Sequence, residues 1–277
     1  MNGFQKGVKF LAIFLSIFII INIFTGIMFA LSIISKIGIN KNGLSFNVNY
    51  EETTFNEKYY DVDRLDIDVS AAVLTIKEGS EFEVNAKVDL NHFSSNLNNG
   101  TLKIKEKSNW FLNKKIVPEI TVYIPYSNKL KNLNINSGAG TVDIMNISAE
   151  RFDFNQGAGR LIIDSSSFKE INIDGGVGEI VIENSYLNDL DLESGVGKTT
   201  ISSFISGLSE IESGVGEVNL NLLGNLSDYR IETEKGIGAI KINGENQPNN
   251  TILGTGENRL DVKSGIGSIN INVKKDT

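Results

Sequence analysis

Residues 171–201 read INIDGGVGEIVIENSYLNDLDLESGVGKTTI, and this stretch decides the fold. It contains two Gly-Val-Gly triplets, at 176–178 and 195–197, with a similar apolar pattern around each. A triplet with Ala, Val or Ile between the glycines occurs seven times; the first four steps are 19 residues and the last two are 22 and 29. Such spacing predicts one structural unit stacked on itself. The triplets begin at Gly138, Gly157, Gly176, Gly195, Gly214, Gly236 and Gly265.

Apolar and polar residues alternate on both sides of each triplet. Ile171 and Ile173 precede the third triplet, and Ile180 follows it. A period of two predicts short, half-buried strands, so the fold class is all-β: a β-solenoid similar to a single-stranded parallel β-helix, with coils of about 19 residues. The glycines predict corners, because glycine accepts positive φ and close backbone approach. The residues between them grow from Ala139 to Ile266, and we interpret them as an inward column that fills a widening core.

An uncharged apolar run of 25 residues covers 10–34. At about 1.5 Å per residue it spans roughly 37 Å, which is enough to cross a bilayer. The run is longer than the core of a signal peptide and no clear cleavage site follows, so we interpret 10–35 as a transmembrane signal anchor rather than a cleaved peptide. Two lysines precede the run and two follow it by residue 41, so the count of positive charges does not set the orientation. The short segment 1–9 favours a cytoplasmic N-terminus, with the C-terminal domain extracytoplasmic at the cell membrane.

The remaining chain divides into four predicted parts. Residues 36–62 are polar and are interpreted as a stalk. Residues 63–136 contain less regular strand patterns and are assigned to an N-terminal cap and the first coils. Residues 137–273 form the regular solenoid, and 274–277 form a polar tail that would blunt its open edge.

Composition excludes several kinds of site. The chain has a net charge of −8, of which residues 1–41 contribute +4, so the remainder carries −12. An acidic body argues against nucleic-acid binding, which requires a basic surface. Because the chain has no cysteine and a single histidine, His92, disulfides, thiolate catalysis and Cys- or His-rich metal sites are excluded, and no cofactor is expected.

A family resemblance rests on ITVYIP at 120–125, LNI at 133–135 and the repeated Ser-Gly-Ala/Val-Gly units that follow. Over about residues 60–273 the chain resembles the bacterial candidate-adhesin β-strand-repeat family, also described as toastrack-like, whose function is unknown. The resemblance implies a right-handed β-solenoid on a cell-envelope protein, often membrane-anchored and associated with envelope-stress signalling. It implies no catalytic residues. The insertion at 243–258 departs from the pattern and is expected to form a surface loop.

Acidic residues recur at outward positions one coil apart. In a stacked fold such carboxylates would lie about 5 Å from one another and would repel unless a cation or basic ligand intervenes. We therefore consider a face for Ca²⁺ or a cationic peptide, with a solvated face as the alternative. No dense Asp-x-Asp-x-Asp-Gly loop supports a tight calcium site. The candidate residues are Asp153, Asp174, Asp191, Glu193, Glu210 and Glu212.

One basic, aromatic stretch interrupts the acidic body. Basic charge beside Trp and Phe suits contact with an anionic membrane surface or a partner. The alternative is a hairpin tip whose Trp packs over the end of the solenoid. The candidate residues are Lys105, Lys107, Trp110, Phe111, Lys114 and Lys115.

The segment GVGKT at 195–199 is similar to a nucleotide-binding loop. Such a loop requires a glycine where this chain has Leu192, and neighbouring coils place Glu179 and Glu217 at the position of Lys198. We therefore interpret the segment as a solenoid corner and expect no nucleotide.

The sequence predicts a non-enzymatic, membrane-anchored cell-envelope protein. Its extracytoplasmic solenoid would act in adhesion, scaffolding or envelope-stress regulation, through an envelope or membrane protein partner. The alternative is a carbohydrate-active extracellular β-helix enzyme; regular acidic columns and scarce arginine disfavour it, because catalysis needs converging acids and bases. A cytoplasmic, polymer-forming solenoid is a third possibility, which the polar cap and tail disfavour.

Overall fold

The computed structural model describes residues 53–107 and 117–274, which are almost entirely β-strand. The predicted transmembrane segment 10–35 lies outside these residues, as do 108–116 and 275–277. The strands are β1 (Thr53–Tyr59), β2 (Arg64–Gly79), β3 (Phe82–Val88), β4 (Phe93–Asn98), β5 (Thr101–Glu106), β6 (Glu119–Pro125), β7 (Leu130–Met145), β8 (Ser148–Asp164), β9 (Ser167–Asn188), β10 (Leu190–Ser206), β11 (Leu208–Asn225), β12 (Tyr229–Ile242), β13 (Glu245–Gln247), β14 (Thr251–Leu253) and β15 (Asn258–Lys274). In the described ranges, no helix is long and apolar enough to cross a membrane.

Long parallel strands form a stack in the order β2, β7, β8, β9, β10, β11. From β7 to β11 the paired residues around the triplets are 19 apart, so that Gly159 pairs with Gly178 and Gly178 with Gly197. Equivalent residues of successive strands therefore lie in columns that run along the stack. Neighbouring residues within a column are about 4.8 Å apart. The predicted all-β, solenoid-like repeat architecture is confirmed.

The alternating apolar residues fill one continuous core. Ile173, Ile182 and their equivalents are fully buried, as the period of two predicts. Larger side chains fill neighbouring core positions in β8 and β9, where the Phe152 and Phe168 rings stack with centroids 4.9 Å apart. Since every strand contributes to a shared ladder, a single strand buries little surface without its neighbours.

The second glycine of each triplet forms the corner. Gly216 has φ +149°, a conformation that residues with a side chain rarely adopt. A Cβ atom at Gly216 would overlap the carbonyl oxygen of Gly197 in the adjacent strand. The glycines therefore allow the backbones of successive corners to stack in direct contact, as the sequence predicts.

The residue between the two glycines faces outward, so its assignment to an inward column is wrong. Val177 is 52% exposed and Ile237 is 62% exposed. Before each triplet, the last residue that points toward the core is Gly175, Ser194 or their equivalent. After the third triplet, the next residue that points toward the core is Ile180. The chain turns between these positions, which points the middle residue of the triplet away from the core.

The C-terminal end of the stack does not follow chain order. β15 lies between β11 and β12 and pairs in parallel with both, with Gly267 opposite Gly216 on one side and Gly238 on the other. The expectation that β15 and the tail after it close the stack is therefore wrong, because β12 is the outermost coil. Leu260, Val262 and Ile269 of β15 are fully buried as a result.

The insertion at 243–258 covers the outermost coil. Its two strands, β13 and β14, pair antiparallel with β12 at Ile240–Ile242 and at Ile231–Thr233 respectively. The segment is thus an edge cap rather than only a protruding loop. Antiparallel additions of this kind protect a stack from pairing with a further strand.

At the N-terminal end, two parallel strands separate β2 from the antiparallel strands that cover it. One half of β2 pairs with β5, which carries β4, and the other half pairs with β6, which carries β3 and β1. The sequence assigned residues 53–62 to the stalk, but β1 belongs to this sheet, and Tyr59 and Val62 are buried in the core.

Candidate ligand-binding face

Two columns of acidic residues run side by side along the stack before each triplet. We call them the first acidic column (Asp153, Asn172, Asp191, Glu210) and the second acidic column (Asn155, Asp174, Glu193, Glu212). Within each column the residues pair directly across neighbouring strands, so the structure brings all six predicted acidic residues onto one face. The columns exist because alternate residues of each strand fill the core and the intervening ones point to solvent.

The middle of this face holds uncompensated negative charge. Asp174, Asp191 and Glu193 are exposed, and among the described residues none of them forms an ion pair with a basic side chain. A shallow groove of 440 Å³ runs from Asp68 to Asp174 along the second column. Within the described ranges, acidic and histidine side chains are not clustered closely enough to hold a metal ion.

At the C-terminal end a lysine balances the acidic columns. Because β15 inserts beside β11, Lys263 lies next to Glu212 in the register. Its Nζ donates to Glu212 Oε1 at 2.9 Å and also to Glu210 Oε1. These bonds raise the pKa of Lys263, and the bond from Lys263 is the largest cause that lowers the pKa of Glu210.

Replacing Lys263 by methionine should raise the pKa of Glu210 and lower the free energy of unfolding by about 0.5 kcal/mol near neutral pH, a small effect because the pair is solvent-exposed. Glu210 has a lowered pKa in the folded state, so its contribution is present above the ordinary value of 4.5 and is lost as the pH falls through the lowered value. The contribution of Lys263 is present below its ordinary value of 10.5 and is lost as the pH rises through the raised value.

NMR titration of the carboxyl carbons measures the pKa of Glu210, and chemical denaturation at several pH values measures the free energy of unfolding. Lys241→Met removes an exposed lysine of β12 as the matched control and should leave Glu210 unchanged. An unaltered pKa of Glu210 in the Lys263 variant would show that the lysine does not hold this carboxylate.

The basic stretch is only partly described. Lys103 lies 3.8 Å from Asp66, and Lys107 lies 3.3 Å from Asp68, so these lysines compensate acidic residues of β2. Lys105 pairs in register with Asp68 on the same face. The other residues of the predicted contact lie outside the described residues: Trp110, Phe111, Lys114 and Lys115.

The segment similar to a nucleotide-binding loop lies inside β10, which continues as a strand to Ser206. Lys198 stacks between Glu179 and Glu217, with its Nζ 4.0 Å from the Glu217 carboxylate. The segment is therefore built as a corner of the stack.

Sequence reasoning missed the groups that extend the acidic face. Asp261 follows Glu210 in the first column, and Lys263 follows Glu212 in the second. A stack built in chain order would instead place both residues beyond β12. The step of 29 residues between the last two triplets was the available signal, since it leaves room for the chain to return.

Three solved structures similar to this chain are those of candidate adhesion or lipid-binding proteins. A candidate cell adhesion protein from Clostridium sporogenes is 16% identical, with 81% of this chain and 100% of that chain covered and a TM-score of 0.42. A candidate adhesin from Bacteroides fragilis is 14% identical, with 80% and 97% covered and a TM-score of 0.44. A candidate lipid-binding protein from Parabacteroides distasonis is 17% identical, with 81% and 97% covered and a TM-score of 0.41.

A comparison with curated proteins finds no significant match. The domain model described as Toastrack DUF4097 matches residues 62–276, which is most of the chain and includes every strand from β2 to β15. The chain therefore belongs to the Toastrack DUF4097 family.

Proposed function

We propose that this chain is a non-enzymatic protein of the cell envelope, anchored by 10–35 in the cell membrane, whose right-handed solenoid is extracytoplasmic and serves adhesion, scaffolding or envelope-stress regulation. The observation that carries the proposal is the acidic face, on which Asp174, Asp191 and Glu193 are exposed on a backbone fixed by parallel pairing. The backbone holds these charges in place before a partner binds, so binding does not carry the entropy cost of ordering this surface. This favours recognition of a protein partner.

The chemistry of the face specifies the partner. Uncompensated carboxylates about 5 Å apart raise the electrostatic energy of the free protein, and a basic segment lowers it on binding. The proposed partner is therefore an envelope or membrane protein with a Lys- or Arg-rich segment, bound with an affinity that decreases as salt rises.

The first experiment tests display outside the cell. Protease added to intact cells should degrade the strand domain, detected with an antibody against it, while a cytoplasmic control protein stays intact. A domain that is degraded only after lysis would contradict the proposal.

The second experiment tests the acidic face. Covalent cross-linking on intact cells should capture a partner with the unaltered chain and several-fold less of it with the triple variant Asp174→Asn, Asp191→Asn, Glu193→Gln. The control triple variant Glu183→Gln, Glu245→Gln, Glu257→Gln removes equal charge from other exposed positions and should leave capture unchanged. Equal capture by all three proteins would exclude this face as the binding site.

A separate assay tests the carbohydrate-active alternative. Release of sugars from a panel of polysaccharides incubated with the protein would favour that alternative.

A further inference from the structure

The outward residues of the Gly-x-Gly triplets form a continuous apolar surface. Each pairs with the next across neighbouring strands, from β7 to β12. We call this surface the aliphatic ridge; in stacking order it consists of Ala139, Ala158, Val177, Val196, Val215, Ile266 and Ile237. Ala71 of β2 precedes it in the same register.

The ridge is accessible along its length. Val177 is more than half exposed, and Val196, Val215 and Ile266 are partly exposed. Glycines on both sides supply no side chain to cover it, so the ridge stands between two bare strips of backbone. Among the residues that the structure describes, no segment covers this row of apolar side chains, which makes it a candidate contact surface.

Beside the ridge runs a column of alternating charge, which we call the charged flank: Arg160, Glu179, Lys198 and Glu217. The Arg160 Nε lies 3.0 Å from the Glu179 carboxylate. Thr141 and Ser268 continue the column at its two ends. Along the stack, the side chains of this column are therefore neutral, positive, negative, positive, negative and neutral in turn.

We propose that two copies of this chain pair ridge to ridge with their stacks in opposite directions, related by a two-fold axis between β9 and β10. Such an axis places the same surface of both copies in contact and reverses the order of each column. Arg160 then faces Glu217 of the second copy, and Glu179 faces Lys198, so every charge of the flank meets its opposite. The inference does not depend on the proposed function.

The same axis matches the sizes of the ridge residues. It places Val177 against Val196, Ala158 against Val215, and Ala139 against Ile266. Small residues at one end thus meet large ones from the other, and the increase from Ala to Ile along the ridge keeps the separation of the two stacks even. A parallel pair would place Ala139 on Ala139 and Ile266 on Ile266, which leaves a gap at one end.

The contact area indicates a weak dimer. Eight coils span about 34 Å and the ridge with its flank is roughly 15 Å wide, so each copy buries roughly 500 Å². That is below the roughly 800 Å² per partner of a stable interface, so we expect dissociation in the micromolar range. The second acidic column weakens the pair further, because Asp174 approaches Glu193 of the other copy. An anionic membrane is disfavoured as the occupant by the same carboxylates.

Disulfide trapping tests the geometry, since the natural chain has no cysteine. Ala139 and Ile266 are five strands apart in one chain, about 24 Å, which no disulfide can bridge. The full chain in detergent micelles carrying both Ala139→Cys and Ile266→Cys should form a covalent dimer on mild oxidation, and neither single variant should. A dimer of the Ala139→Cys variant alone, or no dimer from the double variant, would overturn the proposal.

Sedimentation tests the interface independently. Val196→Asp should raise the dissociation constant at least tenfold, whereas Leu208→Asp, at an exposed apolar position outside the ridge, should not. Lys198→Glu should also weaken the dimer, and the exchange Glu179→Lys with Lys198→Glu should restore it, because the two charges face each other between copies. A dimer that survives Val196→Asp, or an unaltered chain that stays monomeric at 100-fold the expected micromolar range, would overturn the proposal.

Discussion

Replacing Gly216 by alanine is expected to lower the free energy of unfolding by about 3 kcal/mol or more, a large part of the ~5–15 kcal/mol that a domain has. Gly216 has φ +149°, and its added Cβ would overlap the backbone oxygen of Gly197. Backbone cannot yield as a side-chain end can, so β10 and β11 would have to separate at the corner. Thermal unfolding should shift downward by roughly 10 °C.

Gly244→Ala is the matched control for this substitution. Gly244 also has positive φ, +81°, but an added Cβ there meets nothing within 4 Å. The control measures backbone strain alone, about 1 kcal/mol, so the difference between the two variants isolates the contact between corners. Equal losses at Gly216 and Gly244 would show that close stacking contributes little.

Ending the chain after residue 257 is expected to release the whole C-terminal cap. This removes β15, the parallel partner of both β11 and β12, and with it the buried Leu260, Val262 and Ile269. The truncated protein should lose hydrogen-exchange protection throughout β12, β13 and β14. It should also self-associate, because the edge of β11 becomes exposed.

The control for this truncation ends after Lys274 and keeps β15 complete. It should behave as the full chain does in exchange and sedimentation. If β12 kept its protection after β15 was removed, it would have to pair directly with β11, which would mean that the observed strand order is not needed for a stable end.

The sequence predicted the ladders of the core because their signal is local. Ile171 and Ile173 on one side of a triplet and Ile180 on the other alternate with polar residues, and the structure buries all three. The triplet itself was harder to interpret. Alternation shows that the spacing of inward residues changes between Ile173 and Ile180 but does not show where. Val177 was assigned inward because the residues at its position, which grow from Ala139 to Ile266, were interpreted as a column that fills the core. The aliphatic ridge was missed for that reason.

Strand order could not be read from the repeat. β12 and β15 carry the same pattern, with Ile240 and Ile269 at equivalent buried positions, so either strand could pack on β11. When repeats are chemically equivalent, the order of stacking depends on the connections between them. The acidic columns were predicted correctly as far as Glu210 and Glu212, whereas Lys263 was found only once the position of β15 was known.

The position of β15 also affects how the domain can assemble during synthesis. A stack built in chain order can grow one coil at a time as each repeat becomes available. Here β12 is made before the strand on which it packs, so it stays without its parallel partner until β15 has followed it. The last two coils must then join together, and a nascent chain interrupted between them would expose unpaired strands at a stage when earlier coils are already closed.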